Sequence, residues 1–285
     1  MLVKLFVLAL TFNFQLSTFS SFSQFKDETG KTVTANGNVQ IDVAQSKFGG
    51  ASGLFDGTGD YLSLTDNDDW NFGTGDYTID FWVRFNNIPT TSTPMFFYSQ
   101  YFDAGNCINF YLWKWATDNK YYLQHNIYSG GTWKIYYQIN TWTPSTNTWY
   151  HLAVTRKGDT WNFWINGVKQ VDYTLSGIAV PDFNAVVTVG SNPAWTTSPD
   201  GWIDEFRVSK GIARWTSDFT PPTSAYSYEN VIYGKVGIGT TNPTSKLQVV
   251  GLPVYANNAA AIAGGLTAGA FYRTGADPDV VCVVH

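Results

Sequence analysis

The clearest periodic segment of the chain is Tyr77-Thr-Ile-Asp-Phe81-Trp-Val-Arg-Phe85. Tyr77, Ile79, Phe81, Val83 and Phe85 fall at every second position, with Thr78, Asp80, Trp82 and Arg84 between them. Successive side chains of a β-strand point to opposite sides, so this period of two describes a strand with one apolar face. Similar alternation runs through 109–115, 121–128, 133–139, 150–156, 161–165, 186–189 and 203–208, and no helical period survives three turns there. Gly130-Gly131 and Asn166-Gly167 are hairpin signals, because both residue types reach positive φ cheaply. Many short strands with regular turns predict an all-β chain, an antiparallel β-sandwich of jelly-roll type.

Composition agrees with that outline. Of 285 residues, 17% are aromatic, and 20 Phe, 17 Tyr and 12 Trp supply a large core. That content excludes intrinsic disorder. Only 14% are charged, against about 25% in an ordinary soluble domain, so the surface is neutral and hydroxyl-rich. The 17 Lys and Arg are scattered and the net charge is −5, which argues against nucleic acid as a partner. Cys107 and Cys282 lie too far apart for a metal knuckle and are too few for a disulfide framework.

Both ends need separate treatment. Residues 1–24 carry one positive charge, a short apolar run and a Ser-rich stretch, the pattern of a secretory signal. The same Val, Leu and Phe also fit a first strand, and the run falls short of the roughly 20 residues that span a bilayer. Composition shifts after Thr220-Pro-Pro222. Beyond it, 227–285 is Gly- and Ala-rich and closes on an apolar run, Val280 to Val284. Such a piece is too small to bury a core alone, so it is expected to lean on the sandwich or on other copies of the chain.

Several phrases together resemble a family. Phe55-Asp-Gly57-Thr-Gly-Asp60-Tyr-Leu, Thr148-Trp149-Tyr-His151-Leu-Ala-Val-Thr155, Trp161-Asn-Phe-Trp-Ile-Asn166-Gly167 and Asp200-Gly201-Trp-Ile-Asp204-Glu205-Phe-Arg207 look like the laminin-G-like, concanavalin-A-like jelly roll. Gly211-Ile-Ala-Arg214-Trp-Thr-Ser-Asp-Phe219 is similar to versions in tailed-phage structural proteins. Val236-Gly-Ile-Gly-Thr-Thr-Asn-Pro243 and Gly264-Gly-Leu-Thr-Ala-Gly269 look like phage fibre ends and caps. The resemblance implies that 1–24 is the first strand, that 25–226 is the jelly roll, and that 227–285 is a fibre-like tail for oligomerisation or virion attachment. It implies a phage virion component binding cell-surface glycans, a homo-oligomer such as a trimer, and contact with other virion proteins. A virion decoration protein without sugar binding, or a secreted bacterial lectin or polysaccharide-active protein, is the alternative. Relatives also imply a structural Ca²⁺, with Asp56 and Asp204 as its ligands.

Enzymatic chemistry finds little support in the residues. Retaining glycosidases need two carboxylates about 5–5.5 Å apart, which a strand supplies on one face. Asp204 and Glu205 are adjacent, so alternation sends Asp204 to the side of Phe206 and Val208, and Glu205 to that of Ile203 and Arg207. The three histidines, His125, His151 and His285, form no constellation. Aromatics are the better clue, because sugar rings stack their C–H faces on them. Alternation leaves Trp82 and Trp164 opposite the core, and Trp113 and loop residue Trp195 add to the supply, with Gln124 and Asn126 nearby for hydroxyls. Trp82, Trp113, Trp164 and Trp195 are therefore the expected ligand contacts of a non-catalytic carbohydrate-binding module.

Overall fold

A computed structural model describes residues 25–27, 29–90, 92–195, 197–226, 251–275 and 281–285, and the backbone of 2–7, 236–238 and 247–249. The chain divides into two compact units, 1–229 and 230–285. In the first unit the strands are β1 (Leu2–Val7), β2 (Phe25–Asp27), β3 (Val33–Asn36), β4 (Gln40–Asp42), β5 (Ser52–Thr58), β6 (Tyr61–Leu64), β7 (Tyr77–Asn87) and β8 (Met95–Asp103). They continue as β9 (Asn106–Lys114), β10 (Tyr121–Ser129), β11 (Thr132–Ile139), β12 (Trp149–Lys157), β13 (Thr160–Ile165), β14 (Val168–Thr174), β15 (Val187–Val189) and β16 (Thr197–Lys210).

Two antiparallel sheets face each other. One runs β14-β13-β12-β7-β16-β1-β2, with β5 also pairing β16 and β4 pairing β5; the other runs β11-β10-β9-β8-β15-β6-β3. This is the predicted sandwich. Tyr77, Ile79, Phe81, Val83 and Phe85 all enter one core, where they meet Phe97, Phe110, Phe163 and Phe206. Both expected turns form: Gly130 and Gly131 join β10 to β11, and Asn166 and Gly167 join β13 to β14, all four at positive φ.

A fully buried polar bridge joins the two sheets in the core. Trp161 Nε1 donates to Tyr77 Oη at 3.0 Å, Tyr77 Oη lies 2.7 Å from His125 Nε2, and His125 Nδ1 lies 2.9 Å from the Asn109 carbonyl. These contacts fit a neutral imidazole protonated on Nδ1. Burial pushes His125 down to about 4, only partly offset by that carbonyl.

Alternation fails at one place in the centre of the first sheet. Asp204 pairs with Trp82, but Arg207 pairs with Asp80, so β16 carries one extra residue. Glu205 sits at φ 53°, the left-handed conformation found in one type of bulge. The expected grouping is thereby corrected. Ile203, Phe206 and Val208 share the core, whereas Asp204 and Arg207 both face outward, opposite Trp82 and Asp80.

The second unit holds β17 (Val236–Ile238) and β18 (Leu247–Val249), paired in parallel, then helix α1 (Asn258–Ala263) and the hairpin β19 (Phe271–Arg273) and β20 (Val281–Val283). Ala261, Tyr272 and Val284 form its small core, while Phe271, Val281 and Val283 stay exposed. At the other end, β1 pairs with β16 from Leu2↔Ser209 to Leu5↔Phe206. The rest of the 1–24 stretch lies outside the described residues.

Candidate functional site

The outward face of the first sheet is covered. Residues 211–226 form a strap across it, in which Trp215 stacks on Phe219 at 3.9 Å and both meet His151 edge-on. Beneath the strap Arg207 donates two hydrogen bonds to Asp80, at 2.9 and 2.8 Å. Tyr226 Oη donates to the same carboxylate at 2.6 Å and lies 3.0 Å from His151 Nε2. The Tyr226 N–H also donates to Glu205 Oε2 at 2.6 Å. Desolvation alone would raise the Asp80 carboxyl, but the charge and hydrogen bonds of Arg207 and the contact with His151 hold it well below the carboxylate range.

Trp82 and Trp164 are both buried, which corrects their expected exposure. Trp164 is fully buried against Phe219, its N–H donated to Thr155 Oγ1 at 2.9 Å. Trp82 is buried beneath loop residues Lys47 and Phe48, with the Lys47 ammonium 4.0 Å from its ring centroid. Long-range segments supply both covers, so local alternation could not reveal them.

Asp56 and Asp204 do not fit one calcium ion. Asp56 pairs with Asp200, so Asp204 lies four positions further along β16, about 13 Å away. Two ligands of one Ca²⁺ must lie within about 5 Å of each other. Asp204 also already accepts the N–H groups of Lys47, Phe48 and Glu205. Among the described residues no three His, Cys, Asp or Glu converge on a metal position.

The outward face of the second sheet carries an uncharged polar row, most of it buried as well: Ser99, Asn109, Asn126 and Thr188 are each at most 6% exposed. Cross-strand register aligns Tyr136, Asn126, Asn109, Ser99, Thr188, Ser63 and Thr34 in one row over all seven strands. At about 4.8 Å per strand the row is roughly 29 Å long, and none of its members is charged. The strands place these residues outward because their chain neighbours, among them Ile127, Ile108, Phe110, Val187 and Leu62, fill the core. Loop 190–195 folds over the Ser99–Thr188 part: Asn192 Nδ2 donates to Ser99 and Asn109, and Thr188 donates to the Ser191 carbonyl.

Trp113 and Trp195 come together on this face. Their rings meet edge to face at 5.9 Å, beside Phe96 and Tyr111, and Trp195 is 42% exposed. A second aromatic group, Trp133 with Tyr128 and Tyr136, stands on the same face at the β11 edge.

Between the two aromatic groups the side chains bond in one direction. Asn109 Nδ2 donates to Asn126 at 3.4 Å, Asn126 Nδ2 to Tyr111 Oη at 2.9 Å, and Tyr111 Oη to Gln124 Oε1 at 2.7 Å. Burial raises the Tyr111 and Tyr136 phenols, so the face stays uncharged around neutrality. Gln124 and Asn126 were legible as polar neighbours of the strand. Asn109, Tyr111, Tyr136 and Asn192 were missed, although Asn109, Tyr111 and Trp113 alternate in sequence; only register shows that they adjoin Gln124 and Asn126.

The family profile described as the concanavalin A-like lectin/glucanases superfamily, of laminin-G type, matches residues 56–214. No curated protein matches the sequence. Among solved structures, domain 4 of AbnA, an extracellular arabinanase from Geobacillus stearothermophilus solved with arabinotriose, is 23% identical. That match covers 65% of this chain and 86% of the other, with a TM-score of 0.49. A structure of botulinum neurotoxin type C, whose cell entry is described as dependent upon interaction with two ganglioside molecules, is 13% identical with a TM-score of 0.50. It matches over 67% of this chain but only 46% of its own length, so this chain spans about half of that protein.

Proposed function

We propose that this chain, which belongs to the laminin-G-type family of the concanavalin A-like lectin/glucanase superfamily, is a non-catalytic module that binds neutral glycans on the outward face of its seven-stranded sheet. The observation that carries the proposal is the uncharged hydrogen-bonding row flanked by Trp113 and Trp195. Sugar hydroxyls need donors and acceptors, sugar C–H faces need aromatic surface, and this face sets exposed Trp133, Tyr136 and Trp195 beside the buried polar row. The botulinum domain shares the fold alone; the chemistry of the face supports the reading. A non-catalytic role is favoured because Asp204 anchors backbone amides and Glu205 is buried against Tyr226.

The finer reading is a phage tail-fibre or receptor-binding component that presents several copies through residues 227–285. It rests on the tail's resemblance and on the exposed apolar residues of the β19–β20 hairpin. Multivalent display raises avidity without new contacts. A secreted lectin is the second reading, favoured by the apolar run near the N-terminus, and cleavage near Ser23 detected by mass spectrometry supports it.

The test is a glycan array probed with the full chain and with the Trp113→Ala/Trp195→Ala double variant. Binding to neutral glycans, weakened tenfold or more in the variant at unchanged melting temperature, is expected. Absence of any glycan signal from the wild type, or equal binding by the variant, overturns the proposal.

A further inference from the structure

The directional chain of hydrogen bonds on the outward face ends on an unsatisfied group. Gln124 spends its Oε1 on the Tyr111 hydroxyl, and its Nε2 is buried with no acceptor. Its orientation is fixed, because Asn126 already donates to Tyr111 and leaves that hydroxyl to donate onward. Directly across the ladder stands Gln138, paired with Gln124 in register. Its Oε1 is likewise buried with no donor. An orphan donor and an orphan acceptor thus sit on neighbouring strands, on one face, without bonding each other.

Groups directly opposite in an antiparallel pair have Cβ atoms about 5 Å apart, which leaves the two amide heads within reach of one intervening oxygen. A hydroxyl can accept from Gln124 Nε2 and donate to Gln138 Oε1 at once. A carboxylate or phosphate oxygen can only accept, and an ether oxygen likewise. The half-buried Gln138 is the natural cover of the position: its Oε1 has no partner to give up when the side chain swings aside.

We infer that Gln124 and Gln138 form a specificity-determining position that reads one hydroxyl group of a neutral sugar as donor and acceptor together. This rests on the glycan-binding reading above and adds to it the place and chemistry of discrimination. The position lies between Tyr122 and Asn126 on β10, beside the exposed Tyr136 on β11, so the sugar that fills it lies against aromatic surface. A site built to bond a hydroxyl rejects the analogue lacking it, because its own buried groups are then left unpaired.

The experiment uses the full chain labelled with ¹⁵N and titrated with the methyl glycosides of glucose, galactose, mannose, xylose and arabinose at millimolar concentration. Side-chain amide resonances of Gln124 and Gln138 and the indole resonances of Trp113 and Trp195 are followed together. Shifts of both sets by one glycoside are expected, with about tenfold weaker binding for one of its monodeoxy derivatives and for Gln138→Leu. Gln138→Leu breaks no side-chain hydrogen bond seen in the free protein, so it keeps the test independent of folding; Gln124→Leu is the second variant. Indole shifts with unmoved glutamine amides and full affinity in Gln138→Leu overturn this inference and leave the binding face standing. No shift on the outward face with any of the five glycosides overturns both.

Discussion

At the scale of single residues, two buried polar groups control how the sandwich responds to pH and mutation. His125 is held neutral, with its pKa pushed down to about 4 by burial, whereas in the unfolded chain it protonates near 6.5. The unfolded state therefore binds the extra proton first as pH falls. His125 contributes stability that is complete above pH 6.5 and is lost between there and about 4. Chemical denaturation at a series of pH values should show this decline, and a Tyr77→Phe variant should be less stable by about 1–3 kcal/mol at neutral pH. Its loss leaves Trp161 Nε1 without an acceptor and His125 Nε2 without a donor. Arg207→Met should cost more, about 3–5 kcal/mol, because Asp80 would keep a buried charge without its counter-ion. Urea unfolding monitored by tryptophan fluorescence measures both; an Arg207→Met midpoint equal to wild type would contradict the assigned ion pair.

At the scale of elements, the strap of residues 211–226 decides which sheet face can work. Gly167 lies where any Cβ would come within 1.9 Å of the Phe219 carbonyl oxygen, and its φ is +80°. Gly167→Ala should therefore lift the strap and cost about 2 kcal/mol or more. Faster amide exchange over 211–226 with little change in β9 and β10 is the expected hydrogen-exchange signature. The same element explains what the sequence could and could not tell. Alternation in Tyr77–Phe85 assigned both faces correctly, since a strand's period is local information. Whether the second face met water depended on distant segments: Lys47 and Phe48 over Trp82, and Phe219 of the strap over Trp164. Trp82 and Trp164 were thus placed on the right side of the sheet, but not at its surface. The Asp204–Glu205 assignment failed for a different reason: one bulge residue at positive φ reverses the parity of everything after it. Trp113 and Trp195 were legible as surplus aromatics, whereas their polar neighbours Asn109 and Tyr111 needed cross-strand register.

At the scale of the whole molecule, the two units invite separation, and the structure says where to cut. Tyr226 bonds Asp80 and Glu205, so a fragment ending before it loses the plug of the first sheet. A fragment of residues 1–229 should fold and bind the same sugars as the full chain, while a fragment ending at 224 should melt lower. Light scattering of the full chain and of 1–229 tests the role of the tail: a fall in molecular mass on truncation supports assembly through 230–285, and equal mass contradicts it.

The position of β16 has a kinetic consequence. This strand pairs with β7, β5 and β1, so the middle of the first sheet is filled by residues 197–210. A ribosome that has finished β7 must add roughly 110 further residues before that partner exists, about 5–20 s at ordinary synthesis rates. Throughout that interval one edge of β7, with Ile79, Phe81 and Val83 beside it, has no native strand to pair with. An unpaired strand edge is a template for association with other chains, so the yield of soluble protein should rise when fewer chains are synthesised at once.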